Sequence, residues 1–404
     1  MIKKRLVIKK NLFEVSFWVL IVYLLSGSPY TTINTEFSMV IDILAVIVLP
    51  YLLLVKKKCY KYSILPLFLL FIMIFLTMIS HLEFQSRVYW RLLGTIIVAY
   101  YLLKKYGLNN IIELFLKIMV VISIASLIGY TLLNTSSVLN NLPTITNVNN
   151  VEYGIGFLFN YIKIYPERNC GVFWEPGIFA SYLALAIVLE SMTDTKKLNK
   201  FRIVLYIMSM ITTTSSAGYV LLILSIGLIL LRDSQLNGYK KLFAVCIILL
   251  ICFLTLNIDK IILNTSLSNN KYLIKLTSER MKQSSRTTSI FHNLSIFYKF
   301  PLFGGGIDYV TSNMSSWADI STSTYILSIF GFLGLFYTIF IIWGIFSQKQ
   351  INIFVKILFC FVLMSIVNKE PHINILFTWI IILGMASNRN AFHKNTVNYK
   401  NSNL

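Results

Sequence analysis

The residues that could do chemistry stand in a few polar clusters that interrupt a largely apolar chain. In the clearest cluster, 168–177, Arg168 and Glu175 flank the start of a hydrophobic segment. An arginine can bind phosphate through two donors, and a glutamate can accept a proton. Both side chains are costly to hold beside a bilayer, so their position favours chemistry over packing. The alternative is a helix-capping carboxylate before Pro176, with an arginine at the interface.

Further residues that could bind an anion lie in the stretch 259–320. Arg280 and Arg286 belong to a basic run that could hold phosphate groups or could simply face lipid headgroups. Gly305 is the middle residue of a triple glycine, which predicts a tight turn. The N–H groups of such a turn can form a nest for an anion, although a plain flexible turn is the simpler interpretation.

Two more clusters carry hydroxyl, carboxyl and imidazole groups. Ser215 and Ser216 belong to the run 212–218, whose hydroxyls could bind a sugar or phosphate or could solvate a helix end. Glu370 and His372 follow an apolar segment, and together they could act as a general base and its orienting partner. A short polar hairpin is the alternative for that stretch.

The sequence predicts no metal site and no cofactor, because it contains neither a CxxC pair nor an HExxH motif. Of the five cysteines, only Cys170 falls outside the cytoplasm in the topology below, so no structural disulfide is expected. The net charge of +20 is typical of lysines and arginines in cytoplasmic loops, and we do not expect a nucleic acid partner.

The elements that must position these clusters are hydrophobic helices. The chain of 404 residues is 56% hydrophobic and only 13% charged, which is more apolar surface than a soluble protein can cover. Apolar runs of about 20 residues predict transmembrane helices. We therefore predict an all-α polytopic membrane protein with about twelve transmembrane helices. They lie near 12–28, 37–55, 63–80, 88–103, 111–133, 171–190, 202–214, 216–231, 241–258, 321–346, 351–368 and 372–387.

The distribution of basic residues predicts the orientation. With these spans and a cytoplasmic N-terminus, all the main lysine and arginine clusters fall on the cytoplasmic side, and so do both termini. Residues 1–404 then form a single polytopic membrane domain, with 259–320 as a large extracytoplasmic segment. An amphipathic helix near 286–300 is expected to lie in the headgroup plane. The short segments 202–214 and 216–231 are either two full spans or a re-entrant pair.

Taken together, the clusters resemble the family of O-antigen and capsular polysaccharide repeat-unit polymerases, which is related to the O-antigen ligases. The resemblance runs from about Arg168 to Gly384, and its elements appear in the family's order. They are Arg168…Gly171…Phe173…Glu175-Pro176, Thr214-Ser215-Ser216…Gly218, Ser285-Arg286, Pro301-Leu302-Phe303-Gly304-Gly305-Gly306, Tyr325…Gly331-Phe332-Leu333-Gly334 and Asn368-Lys369-Glu370-Pro371. The sequence departs from the family at Ser321–Thr324, where many members carry a His-Asn pair that the ligases are thought to use.

The resemblance implies a glycosyltransferase of the bacterial plasma membrane whose site opens to the outer face. Its substrate would be oligosaccharide repeat units on polyprenyl diphosphate, and its partners would include membrane lipid, a flippase and a chain-length regulator. Because the leaving group is a diphosphate, cations must neutralise it, and Arg168, Arg286 and Arg280 are the residues we expect to do so. Glu175 and Glu370 are the candidate catalytic carboxylates, and Ser215, Ser216, Gly305 and His372 are further candidate substrate contacts.

Two other functions remain open at this point. A flippase or transporter for lipid-linked oligosaccharide would also suit many spans, but it needs polar residues at mid-membrane rather than at one face. A ligase, which passes the finished glycan to another acceptor, would suit the same motifs.

Overall fold

The protein is described by a computed structural model that covers residues 27–29, 60–135, 142–147, 150–156, 158–192, 198–232, 239, 285–313, 318–349, 351–389 and 391–392. The predicted spans 37–55 and 241–258, nearly all of 12–28, both chain ends and Arg280 lie outside these residues. Within them the fold is mainly helical, as predicted.

The first half of the described chain contains six helices. They are α1 (Leu65–His81), α2 (Arg87–Tyr106), α3 (Leu108–Thr135), α4 (Pro176–Met192), α5 (Lys200–Thr212) and α6 (Ser216–Arg232). The second half contains α7 (Ser285–Lys299), α8 (Gly306–Ser312), α9 (Thr322–Phe330), α10 (Leu335–Phe346), α11 (Ile353–Lys369) and α12 (Leu376–Ser387). A short 3-10 turn, Ala318–Ile320, precedes α9, and a second one, Gly331–Gly334, joins α9 to α10.

Local sequence signals explain where several of these helices start. Prolines occupy the first turns of α1 and α4, where the missing N–H costs nothing. Asn199 and Asn352 accept hydrogen bonds from the first turns of α5 and α11, which caps both helices. In the part of the chain that is described, Leu108–Thr135 and Thr322–Phe346 are long and apolar enough to cross a membrane. Four shorter helices are also apolar.

Hydrogen bonds between distant segments give the helix bundle two distinct ends. At one end, the Tyr60 N–H donates to the Lys104 carbonyl at 2.8 Å, and the Ser63 N–H donates to the Ser387 carbonyl at 3.2 Å. We call this the basic end, because it gathers Lys61, Lys104, Lys105, Lys200, Arg202, Lys349, Lys356 and Arg389. At the other end, which we call the loop end, the Asn169 N–H donates to the Thr212 carbonyl at 3.0 Å.

An arginine joins three helices at the basic end. The Arg202 guanidinium contacts Glu113 on α3 at 2.9 Å and Glu190 on α4 at 3.1 Å. Lys117 also pairs with Glu113, at 3.7 Å. The Glu190 side chain is only 4% exposed, so its charge is balanced inside the bundle. This cluster fixes the start of α5 beside the end of α4.

Hydrogen bonds at the two ends of α5 show how far this helix extends through the bundle. At its start, α5 reaches Glu190 near the end of α4, through Arg202. At its other end, Thr212 accepts a hydrogen bond from Asn169, which precedes α4. The helix α5 therefore runs from one end of the described bundle to the other.

A small antiparallel sheet, which the sequence analysis did not predict, lies in the stretch before α4. Its strands are β1 (Thr144–Thr146), β2 (Glu152–Ile155) and β3 (Asn160–Ile162), in the order β1-β2-β3. The prediction of an all-α fold is thus incomplete. Threonine, isoleucine and tyrosine favour strands, but strands of three or four residues are too short for periodicity to reveal.

The helix α7 has a buried, largely polar stripe and an exposed aromatic side. Ser289, Asn293 and Ile296 are buried, and Asn293 donates to Thr324 of α9 at 3.2 Å. The predicted apolar face points away from α9, with Tyr298 77% exposed. The helix therefore packs on the bundle through a largely polar stripe and leaves aromatic side chains outside.

The interior of the bundle is apolar, and so is much of its outside. Every residue of α4 is buried, and so are ten consecutive residues of α12. Outer helices expose large apolar side chains such as Phe68 on α1, Ile128 on α3 and Phe361 on α11. An apolar exterior of this extent marks contact with lipid or with another protein.

Candidate functional site

The residues that the sequence singled out around 168–177 form the entry to α4 at the loop end. The Trp174 N–H donates to the Gly27 carbonyl at 2.8 Å, which ties this stretch to the end of the first predicted span. The Glu175 carbonyl accepts from the Phe179 N–H at 3.2 Å, so Glu175 stands immediately before the helix. Its half-buried side chain is therefore held at the start of α4, as the motif predicted.

The turn between α11 and α12 inserts at the same place. The Lys369 ammonium donates to the Gly177 carbonyl at 3.0 Å, and both groups are buried. The Glu370 carboxylate lies so close to Gly177 that a Cβ there would overlap its Oε1 atom. Gly177 is thus needed for close approach, and Glu370 and Glu175 flank the same helix start.

The start of α9 is fastened to this turn by four hydrogen bonds. The Ser321 hydroxyl and the Ser323 N–H both donate to Asn368 Oδ1, at 3.1 and 3.0 Å. The Thr322 hydroxyl donates to the Glu370 carbonyl at 3.3 Å and accepts from the His372 N–H at 2.7 Å. The hydroxyl-rich stretch Ser321–Thr324 is therefore part of the same site.

His372 is buried and poorly suited to accept a proton. Its Nδ1 atom lies 2.9 Å from the Thr378 hydroxyl on α12, whereas Nε2 is buried without a hydrogen-bond partner. Burial, and then the positive charge of Lys369, lower the pKa of His372 to about 3. The imidazole is therefore neutral at physiological pH, and it fits better as a hydrogen-bond donor or acceptor than as a base.

Arg168 differs from Arg202 in having no carboxylate partner among the described residues. It lies between β3 and α4, and its backbone N–H donates to the Tyr165 carbonyl at 3.1 Å. Nε is buried without a hydrogen-bond partner, and no described carboxylate forms a salt bridge with Arg168. A buried donor left unpaired costs free energy unless a ligand or water satisfies it. Arg168 is therefore available to an anion in a way that Arg202 is not.

The charges of Arg168 and Glu175 affect the pKa values of Cys170 and Tyr153, which pack together in a small cluster at the sheet. Burial raises the pKa of the Cys170 thiol to about 12, with Arg168 acting in the opposite direction. Burial, and then the negative charge of Glu175, raise the pKa of Tyr153. Cys170 is therefore a protonated packing residue rather than a nucleophile.

Asn169 holds this stretch against the bundle. Its Nδ2 group donates to Ser126 on α3 at 3.2 Å and to Thr212 at the end of α5 at 2.9 Å. Its Oδ1 atom accepts from the Gly171 N–H at 2.9 Å. Gly171 has a φ of 58°, so the chain can turn tightly here before it enters α4.

The predicted substrate contacts Ser215 and Ser216 lie at the start of α6. The Ser215 hydroxyl is buried and accepts from the Gly218 N–H at 3.3 Å, so it caps the helix. Gly218 faces Ala180 of α4 closely enough that a Cβ would stand 2.8 Å from the Ala180 Cβ. The Thr-Ser run therefore packs α6 against α4, and Ser216 is half-buried beside it.

The triple-glycine turn forms a nest for an anion, but the chain fills it with its own carboxylate. Glu83 accepts from the Ile307 and Asp308 N–H groups at 2.8 and 3.0 Å and from the Tyr89 hydroxyl at 2.7 Å. The Gly305 N–H donates to the Ser328 carbonyl at 2.8 Å. The structure thus gives this turn an internal partner, which the sequence did not reveal.

Arg286 and Arg280, the two candidate diphosphate ligands in the stretch 259–320, are described only in part. Arg286 lies in the first turn of α7, where its backbone is helical, and its side chain is not described. Arg280 lies outside the described residues. Both residues remain predicted diphosphate ligands.

Asp319 and Glu83 were missed by sequence reasoning. Asp319 stands just before the Ser-Thr stretch, in the short turn that packs against α7 and α9. Neither residue belongs to a recognisable sequence motif, and the role of each depends on a partner far along the chain.

Among the described residues, no group of three or more histidine, cysteine or acidic side chains could hold a metal ion. No protein-family model, curated protein or solved structure matches this chain.

Proposed function

We propose that this protein is a polymerase that joins oligosaccharide repeat units carried on polyprenyl diphosphate. A hydroxyl of one lipid-linked unit attacks the anomeric carbon of the growing chain and displaces its polyprenyl diphosphate. The reaction needs a cation for the leaving group, a carboxylate near the acceptor and an apolar surface for the lipid.

The observation that carries the proposal is the unpaired Nε atom of Arg168. The Arg202 guanidinium is matched by Glu113 and Glu190. Arg168 has no such match among the described residues, and it lies in the segment that leads from β3 into α4. A diphosphate would satisfy it with charge-assisted hydrogen bonds. Arg286 and Arg280 are proposed as further diphosphate ligands.

Glu175 and Glu370 are proposed as the carboxylates on the acceptor side. Both flank the first turn of α4, where the Lys369 ammonium donates to the Gly177 carbonyl. Gly305, Ser215 and Ser216 would act mainly through the backbone they position, since their polar groups already have protein partners. His372 would supply a neutral hydrogen-bonding group.

We also propose that the bundle crosses the plasma membrane about twelve times with both termini in the cytoplasm, at roughly 20 residues per span. The basic end would face the cytoplasm, following the bias of cytoplasmic loops for lysine and arginine. The loop end would then open to the outside, where lipid-linked repeat units are displayed. The aromatic side of α7 would lie in the lipid interface.

Incubation of purified protein with a defined lipid-linked repeat unit, followed by sizing of the product, tests the proposal. We expect a ladder of repeats from the wild type and only single units from Arg168→Ala. Arg389→Ala is the matched control, because Arg389 lies at the basic end over the Trp343 ring, and it should leave the ladder unchanged. A normal ladder from Arg168→Ala would refute the assignment of Arg168.

The same purified protein and lipid-linked repeat unit distinguish the polymerase from two alternative functions. A flippase would move the lipid-linked unit across a proteoliposome membrane without lengthening it, and a ligase would transfer it to a different acceptor. Polar residues at one end of the bundle favour the polymerase over a flippase, which needs them at mid-membrane. The Ser321–Thr324 stretch, which lacks the His-Asn pair, favours the polymerase over a ligase.

A further inference from the structure

Asp319 is held beside the Glu370 turn by its surroundings. It lies in the 3-10 turn Ala318–Ile320, and the residues that follow are bonded to the 368–372 segment by the four hydrogen bonds described above. The turn also packs against α7 and α9. Asp319 is therefore fixed on the side of the site formed by the start of α9, while Glu370 is fixed on the side formed by the start of α4.

The electrostatics make Asp319 an unusual aspartate. Burial, and then the negative charge of Glu370, raise the pKa of Asp319 to about 6. A carboxylate of that pKa is still mainly ionised at neutral pH, but it binds a proton more strongly than an ordinary aspartate does. A general base works best when its pKa lies near the working pH.

Two buried polar atoms without partners lie in the same pair of segments. The Ser323 hydroxyl belongs to a side chain that is 7% exposed, and His372 is 1% exposed. Neither Ser323 Oγ nor His372 Nε2 has a hydrogen-bond partner. Because Nδ1 of His372 faces Thr378, Nε2 points away from that residue. Buried polar atoms without a protein partner are satisfied by water or by a polar ligand, so both atoms are open to hydrogen bonds from a bound substrate.

We propose that Asp319 is the general base of the transfer reaction, which rests on the polymerase function proposed above. Its carboxylate takes the proton from the acceptor hydroxyl, and the acceptor oxygen forms the new bond to the anomeric carbon. The bond from that carbon to the diphosphate oxygen breaks, and its electron pair leaves on the polyprenyl diphosphate. Glu370 acts as a positioning residue, because its charge keeps Asp319 ready to accept the proton.

Several titratable side chains lie on the elements that surround Asp319. The elements around it carry the titratable side chains of Arg286, His292, Tyr298 and Lys299 on α7, Tyr325 on α9, and Lys369, Glu370 and His372 on the turn. Tyr325 and Glu370 are coupled to it electrostatically. Polymerisation should therefore fall as pH drops below about 6, because protonated Asp319 cannot accept a proton.

The kinetic test compares Asp319→Asn with Asp308→Asn, a matched change at an exposed residue near the same end. We expect Asp319→Asn to lower kcat by about 100-fold or more, the usual contribution of a general base, with little change in KM. Asp308→Asn should leave both unchanged. Glu370→Gln should move the acidic limb of the pH profile to lower pH, because it removes a like charge. A wild-type kcat and pH profile in Asp319→Asn would overturn the proposal.

A second measurement does not depend on activity. A hydrophobic carbodiimide reacts with protonated carboxyl groups, so Asp319 in the intact protein should be labelled near pH 6, and Glu370→Gln should weaken that labelling. If Asp319 is labelled only at pH values close to the pKa of an ordinary aspartate, the proposed effect of Glu370 on Asp319 is wrong. If the wild type makes no polymer, the polymerase proposal fails while the labelling result stands by itself.

Discussion

Replacing Arg168 and Arg202 separately by alanine should have opposite effects on stability and activity. Arg202→Ala leaves Glu190, whose side chain is 4% exposed, without its cation. Breaking a buried ion pair in this way costs about 3–5 kcal/mol. Glu113 is 43% exposed and can be solvated instead, so it adds little to that cost.

Arg168→Ala removes a donor that makes no protein hydrogen bond. A buried unpaired donor costs about 1–3 kcal/mol, so its removal should leave the free energy of unfolding unchanged or raise it slightly. Activity should respond in the other direction. Loss of one preorganised donor to developing charge lowers kcat by about 100-fold to 1,000-fold.

Thermal unfolding of each detergent-solubilised variant is monitored by tryptophan fluorescence. In parallel, the polymer that each variant makes from lipid-linked repeat units is sized. Arg202→Ala should unfold at a lower temperature, while any surviving folded protein polymerises. Arg168→Ala should unfold like the wild type and make single units. If Arg168→Ala is as unstable as Arg202→Ala, its guanidinium is part of the packing and our reasoning is wrong.

Three further predictions follow from single contacts. Gly177→Ala should not destabilise the helix, since alanine favours helices by about 1 kcal/mol, but it should lower activity by displacing Glu370; a fully active variant would show that Glu370 need not lie there. Glu83→Ala should destabilise the fold by about 3 kcal/mol in unfolding assays, because it leaves the Ile307 N–H and its neighbours unpaired, whereas an unchanged transition would contradict that role. Polymerisation should continue in EDTA, and its loss with recovery on adding a divalent ion would count against metal-independent transfer.

The helices were largely predictable, because their signals are local. Proline at the first turn of α4 and asparagine caps on α5 and α11 mark starts that the structure keeps within a few residues. The small sheet was not predictable, since its strands are too short to show a period. The Glu113–Lys117 pair is four residues apart on one helix and so belongs to the local signals, whereas the closer partner of Glu113, Arg202, lies far along the chain.

The candidate site was predictable in its parts but not in its arrangement. The Arg168–Gly177 and Lys369–His372 clusters were both recognised as polar stretches at helix ends. That Glu370 lies against Gly177 depends on contacts across the bundle, and so does the position of Asp319. The turn at Gly305 shows the opposite case. The sequence predicted a tight turn there, but not that Glu83 accepts from the N–H groups of Ile307 and Asp308 that follow it.

The sequence by itself determined the apolar helical segments, the polar clusters between them and the surplus of basic residues near one set of helix ends. These features depend on composition and on spacings of a few residues. Only the tertiary structure decided which polar groups are satisfied and which are left for a ligand. The deciding pairs are 89 residues apart for Arg202 and Glu113, 192 for Lys369 and Gly177, and 224 for Glu83 and Ile307. No local pattern can specify contacts at such separations, because they form only when the helices pack.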